Sequence, residues 1–213
     1  MTTTTTPART ERDALCDLFG EVGPEVPTLC EGWDARDLAA HLVVRERRPD
    51  IAPGLVVSAL ARHSEKVRVT ESERPWAELV ERVRTGPPTW NPMHFRRVDE
   101  LVNTVEYFVH HEDVRRAQPG WTPRTLSPEL TEALAAPLAR MGRLLTRRAK
   151  VGLVLQPTGR EPIRLRKGEP AVTISGDVGE LVLYVYGRKD HARVDLTGPQ
   201  DAVEQVRAAS FGI

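Results

Sequence analysis

A chain of 213 residues is long enough to bury one large core or two modest ones. Lys+Arg and Asp+Glu both number 30, so the formal net charge is zero, and the 40% hydrophobic content is that of an ordinary soluble protein. Nucleic acid and anionic membrane surfaces select a clustered basic excess, so this balance argues against either as a principal partner. The local basic runs Arg45–Arg48 and Arg147–Lys150 sit beside acidic residues or at helix ends.

No stretch approaches the roughly 20 apolar residues that span a bilayer. The opening "MTTTTTPART" lacks the basic and apolar regions of a secretion signal. Cys16 and Cys30 are too few for a disulfide framework, which predicts reduced thiols and a cytoplasmic location.

Apolar positions Ala14, Leu15, Leu18 and Phe19 predict a helix over 7–20, ended by Gly20 and Gly23-Pro24. "PTLCEGW" reads as a loop. Asp34 is placed to cap a helix through "ARDLAAHLVVRERR", with Leu38, His41, Leu42 and Arg45 along one stripe, until Pro49 and Pro53 break it. Residues 54–62 suit another short helix. Trp76, Leu79, Val80 and Val83 make "RPWAELVERVR" amphipathic, and "TGPPTWNP" stops it. A long helix is expected over 97–117, closed by Pro119-Gly120. The next begins at Ser127 with Pro128 in first position and runs to about Lys150, with Pro137 expected to kink or split it. After Lys150 the runs "VGLVLQP", "PIRLRKG", "AVTISG" and "ARVDLTG" read as strands. Helices are expected over "DVGELVLYVYGR", capped by Asp177 and ended by Gly187, and over "PQDAVEQVRAA". The fold class is therefore α+β, with a helical domain over 7–148 and a small α+β domain over 151–213.

The segment "VEYFVHHEDVRR" (105–116) concentrates titratable groups. Glu106 and His110 lie four apart and share a helix face, whereas Tyr107 and His111 share another about 100° round. Apolar neighbours Leu101, Val102, Val105, Phe108 and Val109 predict that this helix is buried. An inward carboxylate and imidazole need compensation, which a divalent cation supplies. A carboxylate with two imidazoles is a ligand set that leaves a fourth position open on zinc. His41, on a helix with its own apolar stripe, suits the third place better than His63, His94 or His191, which sit in charged or loop contexts. The same spacing also occurs as a simple helix-stabilising contact, and lone core histidines are often only hydrogen-bonded, so spacing leaves both readings open.

Three regions resemble the mycothiol-dependent maleylpyruvate isomerase family, within the DinB-like superfamily of metal-binding four-helix bundles. "LCEGWDARDLAAHL" (29–42) matches a Gly-Trp pair followed by a histidine-bearing helix. "ELVNTVEYFVHHEDVRRA" (100–117) matches a later helix with Glu and His four apart. "AVTISGDVGELVLYVYGRKDHARVDLTG" (171–198) is similar to the family's small C-terminal domain. The resemblance implies a DinB-like four-helix bundle with metal ligands His41, Glu106 and His110. It leaves His111 outside the ligand set, and Glu112, Asp113, Arg115 and Arg116 in helix-surface or interdomain contacts. It further implies a divalent metal, zinc first with nickel or iron also suited, and mycothiol as cosubstrate. The activity implied is thiol-dependent transfer or isomerisation of a small electrophile. The C-terminal domain would wall the cleft and hold the thiol's sugar, with Arg188 and Arg193 as contributors.

Residues 43–97 carry no motif specific to the isomerase, so maleylpyruvate itself is not the expected substrate. Trp33 is read as an anchor packing its loop, or as a ligand contact. Cys30 is read as an inert thiol, and "WNPMHF" (90–95) as a cleft lip or a hydrophobic plug. No phosphate-binding glycine loop and no nucleophile elbow is present. A non-enzymatic binding protein with a structural metal, and a metal-dependent hydrolase, are the alternatives. The sequence is compatible with a monomer or a homodimer.

Overall fold

The computed structural model describes the backbone of residues 5–48, 58–91 and 96–212. Pro49, Pro53 and 92–95 of "WNPMHF", including His94, lie outside these residues, as do the side chains of Leu101 and Val102. Two compact units divide at Thr122/Pro123. Among the described residues no helix is long and apolar enough to cross a membrane.

The first unit is helical: α1 (Pro7–Val22), α2 (Ala35–Arg47), α3 (Ser58–Ser72), α4 (Trp76–Thr85) and α5 (Arg96–Arg116). α1 starts where the Thr6 hydroxyl accepts from the Arg9 N–H, and α2 where the Asp34 carboxylate accepts from the Asp37 N–H. Each cap satisfies an amide that the first helical turn leaves open. α1 lies along α5, α2 along α3, and α4 touches both α1 and α2. Their apolar faces close over Leu15, Phe19, Leu38, Leu42, Leu79 and Val83. Phe19 meets Trp76 edge-on at 5.4 Å.

A charged cluster lies inside this core. Arg12 Nη2 donates to Glu46 Oε1 at 2.7 Å and Nη1 to Glu46 Oε2 at 2.8 Å, a two-pronged pair with both side chains almost fully buried. Arg12 Nη1 also donates to the Tyr107 hydroxyl (2.6 Å) and the Val83 carbonyl (3.0 Å). Tyr107 Oη and Asn103 Nδ2 donate to Glu46 Oε1. α1, α2, α4 and α5 all contribute, and the polar atoms satisfy one another in a region closed to water.

The second unit opens with α6 (Pro128–Leu145), then β1 (Gly152–Pro157), β2 (Ile163–Arg166), β3 (Ala171–Gly176), α7 (Val178–Val185), β4 (Asp195–Thr197) and α8 (Gln200–Ala208). The sheet order is β2-β1-β3-β4; β1 and β3 run parallel, and the outer strands are antiparallel to their neighbours. α7 is buried at every position. It packs on β1 and β3, with α8 against β3. Lys189 closes the C-terminal end of α8, donating to the carbonyls of Val206 (2.6 Å) and Ala209 while lying over the Phe211 ring at 3.8 Å.

One expectation changes. The break between domains, read at 148–151 where helix gives way to strand, lies instead before α6. The leucine stripe Leu130, Leu134 and Leu138 is buried, and α6 packs on α7 and β2. A Cβ at Gly142 would come within 2.9 Å of a terminal methyl of Leu165 of β2, so a larger residue there requires the leucine to shift. Pro137 does not split the helix, which continues to Leu145.

Glu46→Ala strands the buried Arg12 charge and is expected to lower unfolding free energy by about 3–5 kcal/mol. Arg12→Met with Glu46→Leu should regain part of that loss. Urea unfolding of the three proteins checks this, and a loss under about 1 kcal/mol in the single variant would contradict it.

Candidate metal centre

The centre is assembled by α2, α5 and the loop before α2. In that loop Pro27 and Asp34 form an isolated antiparallel bridge, and Gly32 takes the left-handed turn position at φ 76°. The Leu29 N–H donates to the Asp113 carbonyl (3.1 Å) and Gln118 Nε2 to the Pro27 carbonyl (3.1 Å), which fastens the loop to α5. From there α2 starts at its Asp34 cap and carries His41 inward.

The structure brings His41, Glu106 and His110 together. Glu106 Oε1 lies 3.5 Å from His41 Nε2 and 3.4 Å from His110 Nε2, and one donor atom of each residue lies within 4.8 Å of the other two. The imidazole centroids are 5.5 Å apart. His41 and Glu106 keep 22% and 24% of their side-chain surface exposed, so a small molecule can reach the atoms between them. Arg45 Nε sits 3.1 Å from the same Glu106 oxygen, and Arg45 Nη1 donates to Asn103 Oδ1 at 2.5 Å. Trp33 lies beside His41 at 5.2 Å between ring centroids, with the Arg68 guanidinium 5.0 Å over its indole.

His110 is held from behind. Its Nδ1 lies 2.9 Å from Asp113 Oδ2, and the Cys30 thiol donates to that same oxygen at 3.3 Å. Asp113 is fully buried. The carboxylate holds a proton on Nδ1 and so aims Nε2 toward Glu106 and His41. Cys30 Sγ, His110 Nδ1 and Asp113 also form a three-donor group of similar compactness. Its short His110–Asp113 contact marks it as the support of the first set.

Burial pushes the His41 imidazole below its ordinary value, only partly offset by its hydrogen bond to Glu106. Burial alone would raise the Glu106 carboxyl; the hydrogen bonds from His110 and His41 and the Arg45 charge outweigh it and hold the acid well below the usual range. For His110, burial opposes the charged form, but bonding to Asp113, Cys30 and Glu106 prevails and raises it well above its ordinary value. Two imidazoles and an ionised carboxylate converging on one point, with one imidazole set by a second carboxylate, are the donor chemistry of a divalent cation site. The residues fit such an ion.

The other sequence-selected residues fall elsewhere. His111 is buried on another side of α5, its Nδ1 3.1 Å from Glu11 Oε2. Glu112 and Asp113 are not helix-surface residues: both are fully buried, Asp113 beneath His110 and Glu112 paired with Arg116 at 2.5 Å and Arg115 at 2.9 Å. Arg116 stacks over Trp121. Arg188 belongs to the second unit, where its Nη1 donates to the Tyr186 carbonyl at 2.7 Å, and the Arg193 N–H donates to Glu180. His191 ends a 3-10 turn, Lys189–His191. Cys30 and Asp113 were missed as partners of the centre; the i, i+3 spacing from His110 to Asp113 was the available signal.

The signs of these shifts predict how metal-free protein responds to pH. His110 has a folded value raised above its ordinary 6.5, so its contribution to stability is complete below pH 6.5 and lost as pH rises through the folded value. Glu106 and His41 are depressed, so theirs is present above 4.5 and 6.5 respectively and lost as pH falls. Urea midpoints of the chelator-treated protein should therefore fall on the alkaline side, and His110→Gln should flatten that limb. An alkaline fall of equal size in the variant would contradict the assignment.

Residues 127–205 match the sequence profile of the MDMPI C-terminal domain. No curated protein matches the chain by sequence. Among solved structures, the mycothiol-dependent maleylpyruvate isomerase is similar, with a TM-score of 0.60 at 16% identity over 90% of each chain. A histidine-to-alanine variant of that isomerase gives 0.59 at the same identity and coverage. Residues 127–205 thus resemble the MDMPI C-terminal domain, and the chain shares the fold of the mycothiol-dependent maleylpyruvate isomerase.

Proposed function

We propose that the protein is a metal-dependent enzyme of the mycothiol-using type, with His41, Glu106 and His110 as ligands, catalysing S-transfer to, or isomerisation of, a small electrophile. The observation that carries this reading is the convergence of two imidazole nitrogens on Glu106 Oε1, with Asp113 fixing His110. A divalent ion held there, zinc by donor chemistry with nickel or iron also suited, would supply a Lewis-acid position at which a thiol is bound as thiolate at neutral pH. The mycothiol part rests on the likeness to the isomerase and the matched C-terminal domain.

The chain's own groups have definable tasks. Asp113 accepts the His110 Nδ1 proton and keeps Nε2 available. Arg45 balances the Glu106 charge and orients the carboxylate, while Asn103 holds Arg45. Trp33 walls the His41 ring, which leaves the approach to the centre along the partly exposed His41 and Glu106 edges. The three proposed ligands all lie in the first unit, whereas Arg188, whose Nη1 donates to the Tyr186 carbonyl, lies in the second.

Protein purified without chelator or affinity-tag nickel should contain one metal per chain by elemental analysis, and Glu106→Ala should lose it. Asp113→Asn should weaken metal binding about 10–100-fold while leaving the three donors in place. Below the raised His110 value each metal bound should release about one proton, because Glu106 is already ionised and His41 already neutral near pH 7. Affinity should then rise about tenfold per pH unit in that window. A parent protein that takes up no metal even on reconstitution would sink the proposal and favour a non-enzymatic binding protein.

A further inference from the structure

The first unit contains a cavity of about 590 Å³, bounded by α2, α3, α4 and the Pro88–Trp90 turn. None of His41, Glu106 and His110 lines it. Its size falls in the range of roughly 300–1,000 Å³ used for small organic ligands. Val43 and Val44, both nearly inaccessible, make an apolar floor with Val67, and Trp90, 61% exposed, stands at the lip.

The walls are electrically lopsided. Among the described residues, the cations Arg47, Lys66, Arg74 and Arg82 line the cavity beside one carboxylate, that of Glu71. That carboxylate is shared: its Oε1 lies 2.9 Å from Arg74 Nε and 2.8 Å from Arg82 Nε. Arg74 is further matched by Glu78 at 2.6 Å. Arg47 directs Nη2 to the Gly86 carbonyl at 2.9 Å, a neutral acceptor that orients the guanidinium without cancelling its charge. Its burial and the nearby Arg82 disfavour its charged form and outweigh the attraction of Glu46 and Glu71. An anion entering the cavity would relieve this crowding, and an apolar body would dry the valine floor.

We propose that this cavity binds a small organic acid, a singly charged carboxylate or sulfonate head on a flat apolar body. The head is met by Arg47 and Lys66, and the body rests on Val43, Val44 and the Trp90 indole. The site is independent of the metal reading, since it uses none of the same side chains.

Calorimetric titration of the chelator-treated full chain tests this with benzoate and benzenesulfonate as probes, and benzyl alcohol and inorganic phosphate as comparisons. Both aromatic anions should saturate at one per chain, with the alcohol and phosphate at least about tenfold weaker because each lacks half of the recognition. Lys66→Glu should weaken benzoate about tenfold, and Lys66→Gln less. Raising salt should weaken benzoate in the parent. Trp90→Ala should weaken benzoate with unchanged salt dependence. No saturable benzoate binding, equal binding of the alcohol or of phosphate, or parent-like benzoate affinity in both Lys66 variants would overturn the proposal. Because metal is removed throughout, these outcomes are separate from those of the metal assays.

Discussion

The buried pair between Arg12 and Glu46 is the contact on which the helical unit depends. A guanidinium and a carboxylate taken out of water are tolerable only with close geometry and every remaining proton and lone pair engaged. Tyr107, Asn103 and the Val83 carbonyl meet that demand, and each comes from a different turn or helix. A rotation of any one helix would open a polar gap, so the network specifies how α1, α2, α4 and α5 are rotated in a way that leucines alone do not. It also continues outward. Asn103 touches Glu46 through Nδ2 and Arg45 through Oδ1, and Arg45 reaches Glu106. Charges alternate in sign along this path from the core to the cluster of His41, Glu106 and His110.

α5 explains how one helix can hold so many titratable groups out of water. Asn103, Glu106, His110 and Asp113 follow a three-four-three spacing and form one stripe, facing α2 and the loop before it. Tyr107 and His111 form a second stripe toward α1, where Arg12 and Glu11 receive them. Glu112 and Arg116 make a third contact along the helix itself. Each polar stripe has a partner, and Val105, Phe108, Val109 and Val114 add apolar surface, which is the condition under which a helix of this composition can be buried.

Much of this organisation could be read from the chain. Periodicity located most of the described helices to within a few residues, because they carry an apolar stripe with a capping residue or a proline-glycine stop; α3, expected over 54–62, instead runs Ser58–Ser72. The four strands announced themselves by alternation between glycines. The Glu106–His110 spacing was visible because a helix converts sequence distance directly into a shared face. The domain border was not visible: α6 has the same amphipathic pattern whether its leucines meet other helices or a sheet, and its packing on α7 and β2 reveals which. The Arg12–Glu46 pair was equally hidden, since its members are 34 positions apart and look like surface residues on their own helices. Asp113 was passed over for a related reason. In the run "HHEDVRR" four charged residues compete for the same partners, and periodicity does not say which carboxylate turns inward.

The short hoop from Pro27 to Asp34 has a further meaning. One end of it begins the helix that carries His41, and the other is pinned to the helix that carries Glu106 and His110. The hoop works as a gauge: its count of residues sets the span between imidazoles that no single helix controls. Lengthening or shortening it by one residue would leave both hydrophobic faces intact while changing the distance across which the proposed ion would be gripped. Ions of different radius and preferred geometry discriminate on that distance. Related chains could therefore drift in metal preference through indels in a surface loop, with every ligand residue preserved.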